Sequence, residues 1–395
     1  MTTAKPDSIW SQTFALLCLT QSLGYAHQAL LTPTIPLYVT HLGGSAFVVG
    51  LVLAAFAVTS VLLRPLIGYW ADTWSEAGVL ASGCFLLGAS LLLFFFPVAE
   101  TTMLANGLRG IGWAGLNTGG YTLLALIAPA MRRGEASGYY SAVQAGVSIF
   151  FPAVALWLID APLGGFRVVI FLSAALAVAS GFIGLVLGRH APSGAGNQPS
   201  HSPSEARLGA FALVDREVLL ASAFLFCLNV THPAVTGFLV LYARTVGIES
   251  VAWYFVASGS TSLLARPALG RVADKIGRGR SLAAGFVLEI FALLLLAAAS
   301  GLSLVLVSGV LYALGSAIGS ATTLALAIQR ANPQRRGRAM ASFSVAYPLS
   351  AGAGALLAGS AVELAGYFWM YLMAAALGAA GLLITLTNWS SLEGN

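Results

Sequence analysis

Apolar residues in this chain come in long runs, separated by short stretches that hold most of the Lys and Arg residues. A helix that crosses a bilayer core about 30 Å thick needs about 20 predominantly apolar residues. By this measure the pattern predicts twelve membrane-spanning helices. We label them α1 to α12 and place them near residues 10–38, 46–67, 78–97, 101–128, 137–158, 167–188, 216–243, 250–269, 281–300, 303–328, 339–361 and 368–388.

Composition supports a membrane protein. Of the 395 residues, 58% are hydrophobic and 8% are charged, and the mean hydropathy is +0.86. A soluble domain carries about 25% charged residues, so this chain has too little polar surface to coat a soluble globule, and the lipid bilayer must surround most of it. The net charge is +5, but the basic residues form no patch, and we expect no nucleic-acid partner.

The sequence holds no pattern typical of an enzyme. Cys18, Cys84 and Cys227 lie in apolar runs without metal-ligand spacing and are interpreted as packing residues. No nucleophile–base pair, metal-ligand cluster or phosphate-binding loop is evident. We therefore expect no enzyme activity, no metal and no cofactor, with a membrane receptor or enzyme as the alternative from another class. The first apolar run is too long for a signal-peptide core and is expected to remain as α1.

The chain is predicted to consist of two halves joined by a linker. The segment from Arg189 to Arg207 is rich in Pro, Ser and Gly and has little to bury. We predict an N-terminal six-helix bundle, a cytoplasmic linker and a C-terminal six-helix bundle, at 1–188, 189–215 and 216–395. Lys and Arg concentrate in every second loop, and such loops face the cytoplasm. Both termini and the linker are therefore predicted to be cytoplasmic, in a multi-pass protein of the cell membrane.

The two halves also resemble each other in sequence. RPLIGYWAD at Arg64–Asp72 recurs as RPALGRVAD at Arg266–Asp274, and RRGEA at 132–136 recurs as RRGRA at 335–339. The two matches have nearly the same spacing and lie at equivalent places in the two halves. A duplicated six-helix unit of this kind is typical of transporters.

A loop motif resembles that of a known family. Gly270–Arg280, GRVADKIGRGR, resembles the signature G-x-x-x-D-[RK]-x-G-R-[RK] of the major facilitator superfamily, and its partner Gly68–Glu76 keeps the Gly and Asp but lacks the basic residues. The resemblance extends from α1 to α12. It implies an all-α membrane protein with twelve transmembrane helices in two pseudo-symmetric six-helix bundles. It also implies a secondary transporter that works by alternating access, most like the drug and metabolite efflux branch.

The resemblance implies a cytoplasmic gate made of charged pairs. By the family's pattern Asp72 faces Arg338 at the start of α11, and by the repeat symmetry Asp274 faces Arg133 at the start of α5. These pairs would hold the cytoplasmic side closed in the outward-open form. The alternative is that the four charges set the membrane topology and have solvated partners.

An arginine lies deep inside α4. Arg109 opens RGIGWAG, which resembles the family's α4 signature, and lies about 12 Å from the start of the predicted helix at 1.5 Å per residue. A charge there is costly and must face protein or a water-filled cavity. Its counterpart in the second half is Tyr312, so the charge is not required by the repeat. We predict that Arg109 serves coupling or substrate binding, against a purely structural role.

Polar residues inside the apolar spans predict a central substrate cavity. The resemblance implies that α1, α4, α7 and α10 line it, and most of these residues lie on those helices. The candidates are Gln21, Tyr25, Gln28, Arg109, Trp113, Asn117, Tyr140, Gln144, Asn229, His232 and Tyr312. For each of them the alternative is an interhelical hydrogen bond. Aromatic rings beside neutral hydrogen-bonding groups suit a small amphipathic organic molecule better than a bare ion.

Three residues are candidates for proton coupling. His27 lies on a cavity helix and belongs to the residue type that titrates near neutral pH. Arg109 can act by tuning a neighbour, and Glu289 is the only acidic residue near the middle of a predicted span, although the family resemblance puts α9 at the periphery. We expect a monomer that couples protons to the export of a small neutral or anionic organic compound. The alternative is a proton-coupled importer, or a facilitator, of a small anionic nutrient.

Overall fold

The computed structural model describes residues 9–129, 132–190, 216–331 and 336–393, and every regular element among them is helical. A short helix, Trp389–Glu393, follows α12. The spans are α1 Gln12–His41, α2 Ala46–Leu62 and Arg64–Thr73, α3 Glu76–Ser90 with the 3-10 turn Leu91–Phe95, α4 Ala99–Ile127, α5 Arg133–Asp160, α6 Phe166–His190, α7 Arg216–Val218, Leu219–Asn229, His232–Thr236 and Leu239–Thr245, α8 Ala252–Ile276, α9 Arg278–Ala297, α10 Leu302–Arg330, α11 Arg336–Ala365 and α12 Tyr367–Thr387.

The described helices make up an all-α membrane fold of twelve spans. Length and hydropathy alone select eight of them, or nine when the two pieces of α2 count as one span. Of the three that do not pass this test, α1 and α4 have 30 and 29 residues and α8 has 25, so all three are long enough to cross a bilayer. The hydropathy of α1 and α4 is lowered by the Gln, Asn, His and Arg side chains on which the cavity prediction rests.

Prolines coincide with the breaks in α2 and α7. The two pieces of α2 are bent by 45°, and Pro65 lies in the first turn of the second piece. In α7, Pro233 lies in the first turn of the short middle piece, which is flanked by non-helical residues on both sides. Proline lacks the backbone N–H and crowds the preceding turn. The break in α7 therefore lies at Pro233, and the bend in α2 lies at Pro65, inside the span predicted near 46–67.

The two halves repeat the same close helix contact. A Cβ atom added at Gly83 of α3 would lie 2.7 Å from the carbonyl oxygen of Gly112 of α4. At the equivalent Gly285 of α9, an added Cβ atom would lie 3.1 Å from the carbonyl oxygen of Gly315 of α10. Only glycine allows two backbones to approach so closely. The duplication seen in the sequence is therefore also a duplication of packing.

The two halves share an apolar core at one end only. We call the end that carries the linker and the α2–α3 and α8–α9 loops the linker end, and the opposite end the distal end. At the distal end one cluster combines residues of both halves, including Leu31 and Val49 with Val235 and Tyr242. At the linker end the described residues form separate clusters in the N-terminal and C-terminal halves.

Contacts between the halves also concentrate near the distal end. There α2 packs on α11, where a Cβ added at Gly50 would meet the carbonyl oxygen of Ala355 at 2.5 Å. Arg244 of α7 forms a 2.9 Å ion pair with Asp160 of α5. The described structure is therefore closed at the distal end.

The predicted gate and linker lie largely outside the described structure. The side chains of Asp72, Arg133, Asp274 and Arg338 are outside the described residues, as is most of the linker. The gate and the exact domain bounds stay predictions.

Candidate functional site

The α1 candidates Gln21, Tyr25 and Gln28, spaced four and three residues apart, face α4. Gln21 Nε2 donates to the carbonyl oxygen of Leu116 at 3.1 Å, and the Tyr25 hydroxyl donates to Asn117 Oδ1 at 2.8 Å. One turn further on, Gln28 Oε1 accepts from Arg109 Nη2. The side chains that repeat at helical spacing on α1 thus form a series of hydrogen bonds to the antiparallel α4.

Arg109 is 1% exposed and is held by neutral groups. Besides Gln28, Asn106 Oδ1 accepts from Nη1, and His27 Nε2 accepts from Nε at 3.4 Å. The guanidinium carbon lies 5.4 Å from the centre of the Phe56 ring, within the range of a cation–π interaction. Among the described side chains no carboxylate forms an ion pair with Arg109. The centre of the N-terminal half therefore holds a buried positive charge without a counter-charge from the described residues.

The hydrogen bonds of His27 define its protonation. Its Nδ1 lies 3.0 Å from the carbonyl oxygen of Ser173 on α6, which can only accept, so Nδ1 carries the hydrogen. Its Nε2 faces Arg109 Nε, which can only donate, so Nε2 must accept. His27 is therefore neutral in this arrangement. A proton arriving on Nε2 would break the bond to Arg109 and place two positive charges side by side.

Aromatic rings line α4 next to this charge. The rings of Tyr25 and Trp113 have centroids 4.6 Å apart, and Phe56 lies 6.3 Å from Trp113. Closer to the linker end, Tyr121 is 50% exposed, and its ring lies 5.4 Å from that of Tyr140. A flat apolar molecule could pack against these aromatic rings, with the polar groups around Arg109 at the deeper end of the site.

The α5 candidates lie inside the N-terminal half. Gln144 Nε2 donates to Gln21 Oε1 at 3.3 Å and so joins α5 to α1. Tyr140 is fully buried in the core of that half, and its hydroxyl has no hydrogen-bond partner among the described residues. Gln144 is thus part of the hydrogen-bond series, whereas Tyr140 packs beside it.

The C-terminal candidates form a smaller group. The rings of His232 and Tyr312 stack with centroids 6.4 Å apart, and the Tyr312 hydroxyl lies 2.9 Å from Thr231 Oγ1. Asn229 Nδ2 donates to the carbonyl oxygen of Leu225, one turn earlier in its own helix. The structure therefore brings His232 and Tyr312 together, while the described bond of Asn229 is local.

Glu289 lies in the interior of the C-terminal half. It is 0% exposed, and neither carboxyl oxygen has a hydrogen-bond partner among the described residues. Its Cγ packs against α10, where a Cβ added at Gly315 would lie 3.0 Å away. Burying an unpaired ion is costly, so these surroundings suit the protonated acid.

The sequence analysis missed several residues of the site. Phe56 and Ser173 act through a ring face and a backbone carbonyl, and neither feature distinguishes them from other residues of an apolar span. Arg64 was quoted only as part of the repeat. It begins the second piece of α2 and is partly buried. An arginine inside a predicted span indicates a functional residue, so Arg64 could have been named as a candidate from the sequence.

Twelve membrane-spanning helices in two six-helix halves, with buried polar side chains inside the spans, are the architecture of a membrane transport protein. The sequence model of the Major Facilitator Superfamily matches residues 17–252 and 219–389. The chain belongs to the major facilitator superfamily. It is 23% identical over 368 residues, 92% of each chain, to an uncharacterized MFS-type transporter of Methanocaldococcus jannaschii. It is 25% identical over 159 residues, 40% of each chain, to the quinolone resistance protein NorA of Staphylococcus aureus.

Solved structures share the fold at low sequence identity. A variant of the nucleoside transporter NupG superposes with a TM-score of 0.78 at 16% identity, over 95% of this chain and 99% of that one. A bacterial homolog of the human lysosomal transporter Spinster, in an inward-facing conformation, gives 0.72 at 14% identity, over 97% and 94%. These likenesses establish the twelve-helix fold.

Proposed function

We propose that this protein couples protons to the export of a small organic compound, neutral or anionic, by alternating access. The observation that carries the proposal is the contact between Arg109 and neutral His27 in the centre of the N-terminal half. The partial similarity to NorA, and to multidrug resistance protein 1 of Bacillus subtilis (25% identity over 175 residues, 44% of each chain), supports export.

The proposed coupling step is competition at His27. In the described state Nε2 of His27 accepts from Arg109. A proton that binds Nε2 removes this acceptor and repels the guanidinium, which then shifts against Gln28 and the neighbouring rings. Proton binding thereby changes the walls of the substrate site. The proton and the substrate influence each other's binding without direct contact.

The linker end is proposed to face the cytoplasm. Loops at this end carry most of the Lys and Arg residues, as cytoplasmic loops do. With this orientation the distal end is extracellular, and the described state, closed there by the shared core, is inward-facing. An exporter takes up its substrate in this state.

A second candidate is proton-coupled import of a small anion. It is favoured by the lack of a carboxylate partner for Arg109 among the described side chains. A proton on His27 adds positive charge to the site and strengthens the binding of an anion. The two would then cross the membrane in the same direction.

Proteoliposomes with a pH-sensitive dye inside distinguish these functions. The compounds are a quinolone, a nucleoside and an aromatic carboxylate, and the variants are Arg109→Ala and, as a surface control, Arg189→Ala. Proton movement opposite to the substrate, lost in Arg109→Ala and kept in the control, is the expected result. Proton movement in the same direction establishes the second candidate. Substrate flux without proton movement overturns the coupling roles of His27, Arg109 and Glu289.

A further inference from the structure

Asn106 of α4 joins the buried charge of the N-terminal half to the backbone of α2. Its Nδ2 donates to the carbonyl oxygen of Val52 at 2.6 Å, and its Oδ1 accepts from Arg109 Nη1. A carbonyl oxygen can only accept and a guanidinium can only donate, so these partners define the orientation of the amide. Asn106 is 1% exposed, so no solvent reaches it to replace a lost bond. The amide keeps both partners only while Arg109 and Val52 hold their relative positions.

The first piece of α2 contacts α4 at three successive turns. Val52 accepts from Asn106, and one turn later the Phe56 ring centre lies 5.4 Å from the guanidinium carbon of Arg109. One turn further on, Thr59 Oγ1 donates to the carbonyl oxygen of Gly107 at 2.7 Å. The first two contacts therefore lead to Arg109, whereas the third joins α2 to the backbone of α4.

The same piece of α2 also closes the distal end. Val49 and Val52 are fully buried in the apolar core that the two halves share. Leu53 lies against α7 of the other half, where a Cβ added at Gly237 would be 2.8 Å from its Cδ1 atom. All of these α2 residues belong to one uninterrupted helix, Ala46–Leu62. A displacement of the backbone at Val52 is therefore a displacement of the contacts between the halves.

We infer that Asn106 is a positioning residue that transmits the position of Arg109 to the closure of the distal end. While Arg109 donates to Oδ1, the amide holds α2 where it packs on the C-terminal half. When the guanidinium shifts, the amide loses this donor and turns, and its bond to Val52 breaks. The distal end then opens more readily. This inference rests on the proposed function in taking Arg109 as a residue through which protons act.

The alkylation rate of a buried distal cysteine tests this link without protons or substrate as a variable. The parent is the full chain with Val49→Cys and with its three natural cysteines replaced, in detergent at one pH. Asn106→Leu and Arg109→Ala should each raise the rate about three- to tenfold, the factor that corresponds to one net hydrogen bond. The double variant should react no faster than the faster single variant, whereas independent effects would multiply.

Thr59→Val is the matched control, because it removes another hydrogen bond between α2 and α4. It should change the rate by less than about twofold, and Arg109→Ala should keep its full effect in this background. Asn106→Asp keeps an acceptor for Arg109 but, as a carboxylate, has no donor for Val52, so it should react like Asn106→Leu. Thermal unfolding shows whether each variant is folded at the assay temperature, and Asn106→Asp takes the place of Asn106→Leu if the latter is not.

Three alkylation results would overturn the link. They are an unchanged rate in the Asn106 variants, multiplied effects in the double variant, and a Thr59→Val protein that reacts as fast as Asn106→Leu. The last result would mean that any loosening of α2 from α4 opens the distal end.

Protons enter only in the liposome assay, with the transported one of its three compounds as the probe. There Asn106→Leu should move at most about half as many protons per molecule of this compound as the wild type, and Thr59→Val should match the wild type. An unchanged ratio in Asn106→Leu would mean that the link plays no part in coupling. If the alkylation results hold but wild-type protein transports the compound without protons, the link stands and the proposed function fails.

Discussion

Arg109 and Glu289 are buried in opposite ways. Arg109 is surrounded by oriented neutral acceptors, so its charge is stabilised by dipoles that the fold holds in place. Glu289 packs against Gly315 of α10, and its carboxyl oxygens have no hydrogen-bond partner among the described residues. The first environment supports a permanent charge, whereas the second supports a group that is neutral until a conformational change brings water to it.

Glu289→Leu is therefore expected to stabilise the protein. Removing an unpaired buried polar group of similar size should raise the free energy of unfolding by about 1–3 kcal/mol, measured as thermal unfolding in detergent. The same variant should reduce proton-driven accumulation of substrate in liposomes, since Glu289 is a candidate for proton coupling beside His27. Tyr371→Phe is the matched control. Tyr371 has a buried hydroxyl group in the same half that also has no hydrogen-bond partner among the described residues. Its removal should leave transport unchanged. A destabilised Glu289→Leu would show that the carboxyl group has a partner.

Helical spacing was enough to predict some residues of the site. The positions of Gln21, Tyr25 and Gln28 follow from periodicity alone, and the depth of Arg109 follows from counting residues along α4. The partners of His27 could not be predicted, because the Ser173 carbonyl belongs to a backbone that every residue shares. The cover provided by Phe56 could not be predicted either, because one apolar ring among 21 phenylalanines carries no signal of its own.

At the scale of elements, the fold was largely readable from the sequence. Apolar run length gave the twelve spans, and the recurrence of RPLIG as RPALG gave their grouping into two halves. The prolines at the break in α7 and at the 45° bend in α2 are both visible in the sequence, but the bend was not predicted. The helix contacts between the two halves could not be predicted from the sequence, because they depend on the conformational state.

The contact between α2 and α11 gives a prediction about this packing. A Cβ added at Gly359 would lie 2.6 Å from the carbonyl oxygen of Ala46, so a side chain there must separate the two backbones. Overpacking costs about 1–3 kcal/mol, and Gly359→Val should raise the ratio of distally open to distally closed molecules about tenfold or more. Alkylation of a cysteine introduced at the buried Val49 should become faster by this factor, and transport should fall.

The control for this variant is Gly146→Val. Gly146 lies in α5 with open space where its Cβ would be, so the added side chain should change neither alkylation nor transport. Equal alkylation rates in Gly359→Val and the wild type would mean that the α2–α11 contact does not hold the distal end closed.

For the whole molecule, the asymmetry between its two ends is the feature that matters for transport. The shared distal core includes residues such as Val39, Phe238 and Tyr371 from both halves, whereas the described linker-end cores stay separate. Alternating access requires this arrangement to reverse, with the predicted pairs of Asp72 with Arg338 and Asp274 with Arg133 closing the linker end in the other state. The exposed ion pair at the distal end contributes only about 0–1 kcal/mol to the stability of the distally closed state. The shared apolar core is therefore the main contribution that must be lost when the distal end opens.

This ion pair nevertheless marks a position where the two halves can be locked together. Asp160 and Arg244 come from different halves, and their side chains are 68% and 46% exposed and 2.9 Å apart. In a chain in which Cys18, Cys84 and Cys227 are replaced, Asp160→Cys with Arg244→Cys should be joined by a short bifunctional thiol reagent. Since the distal end must open for release, the cross-link should stop transport while leaving substrate binding from the linker end intact.

The matched control joins two positions within one half. Arg132 and Glu135 form an ion pair one turn apart at the start of α5, so Arg132→Cys with Glu135→Cys can be cross-linked without tying the halves together. This variant should keep transporting after treatment. A reductively cleavable reagent should restore transport in the Asp160/Arg244 variant. Full transport by the cross-linked Asp160/Arg244 protein would show that the distal end need not open, and the alternating-access assignment for this end would then be wrong.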